Sequence, residues 1–248
     1  MNASLAAFYW PLYDPVMTRP ITMIGFDADD TLWHNESVFR LTQAQFQDML
    51  DDYADPATIG EKLLAAERRN IGLYGFGVKG FTLSMIETAI EVTSGKVPAS
   101  TIKEILEAGR AMLSHPVETL PGVHDTLEAV APDYSLILIT KGDLFDQERK
   151  LAQSGLGDFF DGVEIVSDKT PSVYERIFGA TEGGPGAAMM IGNSLKSDVI
   201  PAIEAGSWGV HVPHDLTWDL EHAEPPEHAE RFRRIETIDA LPGLLEAL

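Results

Sequence analysis

The residues most able to do chemistry are two aspartates one position apart, Asp27 and Asp29. They follow an apolar run, residues 21–26, whose large and β-branched side chains predict a buried strand. In an open α/β sheet, the carboxyl end of such a strand is the edge where active sites lie. There, one carboxylate can attack phosphorus, and the second can protonate the leaving oxygen and then activate water. The alternative is a polar loop held by Asx turns, with Asp30 and Thr31 as turn formers.

Polar side chains also follow other predicted strands. The predicted strand over residues 135–139 ends just before Thr140 and Lys141. There, a hydroxyl and the free amides of a turn can bind a phosphoryl oxygen. Lys169 lies just ahead of a helix that Pro171 starts, where an ammonium can hold a nucleophile and a phosphoryl group together against charge repulsion. Taken singly, Thr140 also suits a turn or a cap, and a loop lysine is usually solvated.

Carboxylates this close together call for a cation, and a hard ion such as Mg²⁺ suits oxygen ligands. A strand over residues 187–191 ends just before Asn193 and Asp198, whose oxygens would complete such a site with Asp27. The alternative role for Asn193 is helix capping. No histidine is predicted to bind a metal, because none is judged to fall at metal-ligand spacing with another acid or histidine on a helix face.

Composition excludes several classes of protein. The 248 residues include 39 acidic residues against 18 Lys and Arg, a net charge of -21, which argues against sequence-independent nucleic-acid binding. No apolar run approaches the length of a membrane span. The absence of cysteine excludes disulfides and thiolate metal sites and fits a cytoplasmic protein. The apolar fraction is ample for a real core, and the length allows a smaller insert beside it.

Residues 34–118 change to helical periodicity and predict a four-helix unit. Its apolar positions include Leu83, Ile86 and Ile90 on the third helix. Between the middle helices, residues 72–80 carry four glycines and Lys79, which predicts a loop able to contact substrate; the alternative is an ordinary helix connection. Outside this unit, residues 1–20 read as an arm that packs on the body or a partner chain, and a loop containing Glu221 and three further glutamates reads as solvated surface.

Taken in order, these motifs resemble those of the haloacid dehalogenase superfamily. The matching residues are an Asp-x-Asp pair after the first strand, a Thr after the next major strand, a Lys before a helix, and Gly-Asn-Ser with a later Asp after another strand. The resemblance covers nearly the whole chain after Pro20. It implies a doubly wound parallel α/β sheet formed by residues 21–33 and 119–248, with residues 34–118 inserted as an α-helical cap.

The same resemblance implies a role for each motif residue. Asp27 would be the nucleophile and Asp29 the general acid and base, while Thr140 would bind phosphoryl oxygens and Lys169 neutralise charge. Mg²⁺ would be held by the Asp27 carboxylate, the main-chain carbonyl of Asp29, Asn193 and Asp198. Lys141 and Lys79 are further candidates for substrate binding. The expected activity is hydrolysis of a small phosphorylated metabolite by a monomer or homodimer that binds neither nucleic acid nor membrane.

One position departs from the pattern. Phosphatases of this superfamily often have Asp where Asn193 stands, and a neutral amide removes one negative charge from the cation site. Dehalogenases of the superfamily use no metal and can carry Asn there, but they typically lack the second acid, so Asp29 favours phosphoryl chemistry. A phosphomutase, a 2-haloacid dehalogenase and a non-catalytic phosphate-binding protein remain as alternatives.

Overall fold

The computed structural model describes residues 21–248, so the predicted arm over residues 1–20 lies outside the described part of the chain. Within that part, six strands form one parallel sheet in the order β3-β2-β1-β4-β5-β6. The strands are β1 Met23–Phe26, β2 Ser135–Lys141, β3 Gly162–Val166, β4 Ala188–Gly192, β5 Trp208–His211 and β6 Phe232–Arg234. The predicted doubly wound parallel sheet is confirmed.

Helices of residues 21–248 lie between and after the strands of this sheet. They are α1 Glu36–Asp48, α2 Pro56–Tyr74, α3 Val78–Val92, α4 Ala99–Leu113, α5 Val123–Val130, α6 Leu144–Ser154, α7 Pro171–Phe178, α8 Ile200–Glu204 and α9 Leu241–Glu246. Because side chains alternate along a strand, β1 sends Ile24 and Phe26 into a core with α5 and α9. The opposite face packs against α7 and α8. Covering both faces buries all of β4 and all of β1 except Met23, as their continuous apolar sequences require.

Asp27 follows directly on the central strand β1. Its backbone N–H donates to the carbonyl of Ile191 in β4, so the chain leaves the sheet only after this residue. The turn into α1 depends on Asp30, which adopts a left-handed φ of 60° and accepts hydrogen bonds from the backbone N–H groups of Asn35 and Glu36. Asparagine and aspartate tolerate this backbone region better than most residues. The chain therefore turns sharply at the strand end and leaves the two candidate acids at the sheet edge.

Helices α1 to α4, which we call the helical unit, share a hydrophobic cluster of their own. Helix α3 is confirmed, but two of the three apolar residues that predicted it, Leu83 and Ile90, are exposed, and Ile86 is partly buried against the cluster. The buried apolar residues of α3 are Val78, Phe81, Met85 and Ala89. The two faces have almost the same periodicity, and only the packing of α3 against α2 and α4 selects between them. The division of the chain into a cap over residues 34–118 and a core stays a prediction.

Two boundaries differ from the sequence prediction. The proposed loop over residues 72–80 is mostly helical, and only Gly75, Phe76 and Gly77 connect α2 to α3. Gly75 and Gly77 have φ values of 75° and 110°, which break the helix, while Gly72 and Gly80 lie within helices. Strand β2 extends to Lys141, so Thr140 and Lys141 are its last two residues and do not follow it.

Among residues 21–248, no helix combines the length and apolar character needed to cross a membrane.

Candidate active site

Two carboxylates and one ammonium from three distant segments meet at the end of β1. The Nζ atom of Lys169 lies 2.5 Å from Asp27 Oδ1 and 2.7 Å from Asp198 Oδ1. Lys169 precedes α7, and Asp198 lies in the single π-helical turn, Leu195–Val199, that follows β4. The side chains of Lys169 and Asp198 are each 1% exposed, so the cluster is screened from bulk water. The fold thus brings together three residues that the sequence predicted for one site.

The charges in this cluster are not balanced. Burial and the Asp198 carboxylate raise the pKa of Asp27 to about 7, against the opposing effect of Lys169. Although burial lowers it, the carboxylates of Asp198 and Asp27 raise the pKa of Lys169 above its usual range. One ammonium therefore does not offset both buried carboxylates, and a cation added at this edge would favour the ionised form of Asp27.

The oxygen atoms around this edge fit a magnesium ion. Asp27, Asn193 and Asp198 line the same cavity. The Thr31 hydroxyl has one proton and lies 2.9 Å from Asp27 Oδ2 but 3.3 Å from Asn193 Oδ1, which leaves the amide oxygen as an available acceptor. The main-chain carbonyl of Asp29 accepts no hydrogen bond from residues 21–248. These are hard oxygen donors, the kind that Mg²⁺ prefers.

Gly192, the last residue of β4, makes room for the Asp198 carboxylate. A Cβ atom at position 192 would lie 2.2 Å from Asp198 Oδ2. That oxygen also accepts a hydrogen bond from the backbone N–H of Ser194, so the carboxylate has little freedom to move away. Any side chain at position 192 would therefore clash with Asp198, an acid predicted to bind the cation.

We expect Gly192→Ala to weaken Mg²⁺ binding and to lower the free energy of unfolding by about 1–3 kcal/mol, since it overpacks a buried polar group. Calorimetric Mg²⁺ titration and urea unfolding measure the two effects. Gly186→Ala is the matched control, because a Cβ atom there meets no atom within 4 Å. Unchanged Mg²⁺ affinity in Gly192→Ala would remove Asp198 from the cation site.

Asp29 is held by three side-chain donors that the sequence analysis did not identify. Its carboxylate accepts hydrogen bonds from the Trp33 indole at 2.7 Å, the Gln147 amide at 2.8 Å and the Lys150 ammonium at 2.9 Å. Gln147 and Lys150 lie on one face of α6 and are buried. The local sequence of α6 holds no signal that separates these two residues from its exposed polar residues. Accepting three hydrogen bonds is the behaviour of an ionised carboxylate.

Thr140 and Lys141 differ in their access to the cavity. Thr140 is buried, and its hydroxyl donates a long hydrogen bond of 3.4 Å to the carbonyl of Lys141. Lys141 lines the cavity, and its ammonium lies 2.8 Å from Glu221 and 2.7 Å from the Ser197 hydroxyl. It also lies 4.1 Å from the centre of the Phe76 ring. Lys141 therefore links the sheet to the connection between α2 and α3.

The prediction that Glu221 belongs to solvated surface was wrong. Its side chain is 15% exposed, pairs with Lys141 and accepts hydrogen bonds from the hydroxyls of Ser194 and Ser197. Despite burial, these partners hold the pKa of Glu221 below its usual range. Prolines and three other glutamates surround it in the sequence, so the local composition did not separate this one buried acid from its exposed neighbours.

Lys79 is not among the residues that line the cavity. Its side chain is 58% exposed, and its ammonium pairs with Asp143 at 3.3 Å. The neighbouring connection contributes Phe76 instead, whose ring lines the cavity and meets the ring of Trp218 edge-on, with 6.2 Å between centroids. A substrate contact by Lys79 stays a prediction, and it requires the ion pair with Asp143 to open.

A cavity of about 170 Å³ lies between the sheet edge and the helical unit. The sheet side contributes Asp27, Asp29, Asn193 and Asp198, and helices α1 to α3 contribute the opposite wall. The volume suits a small molecule. Asp27 and Asp29 open into this cavity, while Lys169 lies behind Asp27 and does not line it.

A second group of possible metal ligands lies away from the cavity. His124, Asp125 and Glu128 on α5 place ligand atoms within 4.8 Å of one another. The prediction that no histidine has metal-ligand spacing on a helix face was therefore wrong, because His124 and Glu128 are one helical turn apart. All three side chains are exposed, and exposed acids often cluster without binding an ion, so we assign no site here.

Comparison with known proteins was made for both the sequence and the fold. A family model for hydrolases, described as haloacid dehalogenase-like hydrolase, matches residues 21–206. The crystal structure of a haloacid dehalogenase-like family hydrolase from Xanthomonas campestris superposes with a TM-score of 0.82 at 43% sequence identity, covering 94% of this chain and 95% of that chain.

Two curated relatives extend over most of the chain. The glyceraldehyde 3-phosphate phosphatase of Methanothermobacter thermautotrophicus is 24% identical over 238 residues, which is 91% of this chain and 98% of the relative. The pyrimidine 5'-nucleotidase YjjG of Escherichia coli is 25% identical over 235 residues, which is 90% of this chain and 96% of the relative. Each is a protein to which this chain is similar over nearly the whole length of both.

Proposed function

Because the chain belongs to the haloacid dehalogenase-like hydrolase family, we propose that it is a Mg²⁺-dependent phosphomonoester hydrolase of a small phosphorylated metabolite. The observation that carries the proposal is the pair of cavity-lining acids Asp27 and Asp29, each with its own lysine. Two similar proteins whose names identify phosphatases of small molecules support it.

In the first step, a carboxylate oxygen of Asp27 attacks phosphorus and the bond between phosphorus and the ester oxygen breaks. The leaving oxygen takes a proton from Asp29, which yields the free alcohol and an aspartyl-phosphate. Lys169 holds the Asp27 carboxylate at 2.5 Å and offsets charge as the anionic phosphoryl group approaches it. Thr31 fixes the other oxygen of Asp27 through a hydrogen bond of 2.9 Å.

In the second step, Asp29 accepts a proton from water as the water oxygen attacks phosphorus. The bond between phosphorus and the Asp27 oxygen breaks, which releases inorganic phosphate and regenerates the Asp27 carboxylate. The three donors around Asp29 suit this step, because they stabilise the ionised carboxylate that a general base needs. For Asp29 to carry a proton in the first step, at least one of these donors has to move. Mg²⁺, held by Asp27, the Asp29 carbonyl, Asn193 and Asp198, would supply positive charge to the phosphoryl oxygens.

The helical unit acts in this proposal as the cap that closes over the cavity. Phe76, in the connection between α2 and α3, contacts Lys141, and Lys79, at the start of α3, pairs with Asp143. Closure of the helical unit over the cavity would exclude water from the reacting atoms. The residues that it presents to the cavity would select the leaving group.

The experiment that tests the proposal is release of phosphate from a panel of phosphomonoesters, with Mg²⁺ and with chelator. The panel contains sugar phosphates, glyceraldehyde 3-phosphate, pyrimidine nucleoside monophosphates, phosphoglycolate and an aryl phosphate. We expect release that requires Mg²⁺. Release that persists undiminished in chelator contradicts the metal requirement, and no release from any ester contradicts the activity.

We expect Asp29→Ala to lower kcat by on the order of a hundredfold or more, because it removes a general acid and base. In single-turnover experiments, the substitution should reduce the rate constant for an alkyl phosphate more than that for an aryl phosphate, since a phenolate leaves without needing a proton. Asp133→Ala, at an exposed position, is the control. A kcat near the wild-type value would remove Asp29 from the mechanism.

Two related reactions are separated by product analysis. A phosphomutase would return the phosphoryl group to the product instead of releasing phosphate to water. A 2-haloacid dehalogenase would release halide, would not need Mg²⁺ and would not need Asp29. Halide release from 2-haloacids is therefore the assay that follows if phosphate release fails, and phosphate binding without either reaction would favour the non-catalytic alternative.

A further inference from the structure

We propose that the cavity selects phosphomonoesters whose leaving group is uncharged or cationic, and that Glu67 rejects leaving groups carrying a carboxylate or a second phosphate. This inference rests on the proposed phosphatase activity and goes beyond it by naming the charge class of the substrate. It concerns the wall formed by helices α1 to α3, which the mechanism does not use.

The first argument is the charge of that wall. Helices α1 and α2 present the carboxylates of Glu36 and Glu67 to the cavity. The nearby Arg40 does not line the cavity, and its guanidinium is engaged by Glu36 at 2.8 Å and by the carbonyl of Thr217 at 3.1 Å. Within residues 21–248, this wall therefore has carboxylates facing the cavity and no ammonium or guanidinium to pair with an anionic leaving group.

The second argument concerns the lysines on the sheet side. Of the residues in the described chain, Lys141 and Lys150 are the cations that line the cavity. Lys141 is paired with Glu221 at 2.8 Å and Lys150 with Asp29 at 2.9 Å. Recruiting either lysine to bind a substrate carboxylate would leave a poorly exposed acid without its partner, which is costly. An anionic leaving group would thus bring uncompensated charge into the cavity.

The third argument is the local environment of Glu67. Burial and the neighbouring carboxylate of Glu36 raise the pKa of Glu67 to about 7, against the opposing effect of the Trp218 side chain. Surroundings that disfavour the charge of Glu67 also disfavour an anionic group on the substrate beside it, since like charges in a partly desolvated site repel strongly. A hydroxyl or ammonium group of a substrate, in contrast, would donate to Glu67.

Neighbouring groups fit the same class of ligand. The Nδ2 atom of Asn70 donates to Ser84 at 3.2 Å and to Glu87 at 3.0 Å, so its carbonyl oxygen is left as a further acceptor. The rings of Phe39, Phe76, Phe81 and Trp218 supply apolar surface around these acceptors. An uncharged carbon skeleton with hydroxyl or amino groups matches this combination, and a carboxylate or phosphate does not.

The test compares substrates that differ in the charge of the leaving group. The pairs are glycerol 3-phosphate with 3-phosphoglycerate, and phosphoethanolamine with phosphoglycolate. We expect kcat/KM to be at least about tenfold higher for the first member of each pair, since like-charge juxtaposition is strongly unfavourable. Glu67→Gln should narrow the ratio by raising kcat/KM for the anionic member, and Glu67→Lys should narrow it further.

Glu61→Gln is the matched control, because it makes the same charge change on α2 at an exposed position outside the cavity. Equal kcat/KM within each pair, or ratios that do not respond to Glu67, would overturn the inference. Failure to hydrolyse any ester would instead overturn the proposed function. In that case calorimetric binding of the same four esters to Asp27→Asn with Mg²⁺ decides the charge rule independently, and equal affinities within each pair would refute it.

Discussion

Asp27→Asn is expected to lower turnover by at least about a thousandfold, because the amide cannot form the covalent intermediate on which both steps depend. Steady-state phosphate release with Mg²⁺ measures the effect on the best ester of the panel. A complementary measurement is the mass of acid-quenched protein, in which wild-type enzyme should carry one phosphoryl group and the variant none. Fresh protein is required, since deamidation of the new asparagine would restore the nucleophile.

The same substitution should leave the fold intact. Burial and Asp198 disfavour the ionised form of Asp27, so a neutral amide at this position removes an unfavourable charge from the metal-free protein. We therefore expect the melting temperature of Asp27→Asn in chelator, at pH 8, to be no lower than that of wild type. Asp133→Asn controls for a charge change at an exposed site. Measurable steady-state hydrolysis by freshly prepared Asp27→Asn would exclude the nucleophile role.

Lys169→Met is expected to have the largest effect on stability. It removes the ammonium that lies 2.5 Å from Asp27 and 2.7 Å from Asp198 and leaves both carboxylates buried without it. Breaking a buried ion pair on one side typically costs about 3–5 kcal/mol. Turnover should fall by about a hundredfold or more, because a preorganised positive charge next to the nucleophile is lost. Urea unfolding in chelator and phosphate release with Mg²⁺ measure the two losses.

A second substitution shows whether the loss of stability arises from the carboxylates. Combining Lys169→Met with Asp27→Asn removes one of the two unpaired charges, so the double variant should be more stable than Lys169→Met alone. Lys103→Met, which disrupts only an exposed i,i+4 pair with Glu107, is the control. A Lys169→Met protein within about 1 kcal/mol of wild type would show that the cluster is not held by this lysine, given the usual cost of breaking a buried pair.

The sequence alone predicted the sheet and most of the residues gathered at its edge. Apolar runs followed directly by polar residues predict buried parallel strands, and strands of this kind end at a common edge. This rule, together with the resemblance to the haloacid dehalogenase superfamily, predicted Asp27, Lys169 and Asp198 for one site, although 142 positions separate the first two and 29 the last two. The structure brings Lys169 within hydrogen-bonding distance of both carboxylates.

The partners of these residues depended on tertiary packing. Gln147 and Lys150 reach Asp29 only because α6 packs beside the end of β1, and nothing in the local sequence of α6 distinguishes buried polar residues from exposed ones. Glu221 was misassigned for the same reason: a glutamate in a proline-rich loop is solvated unless the loop folds back onto buried donors. Three such donors, Lys141, Ser194 and Ser197, come from distant segments.

Amphipathic periodicity likewise determined that α3 is a helix but not which face it buries. Leu83 and Ile90 lie on one stripe, Phe81 and Met85 on another, and both stripes are apolar at helical spacing. The contact of α3 with α2 and α4 buries the second stripe, in part because Gly109 of α4 lets Thr82 of α3 approach closely.

The sequence by itself determined which elements form and which acids lie at the sheet edge, since those depend on local pattern and strand direction. Tertiary structure decided which charges are paired and which face the cavity, because pairing requires contacts between segments that local pattern does not specify.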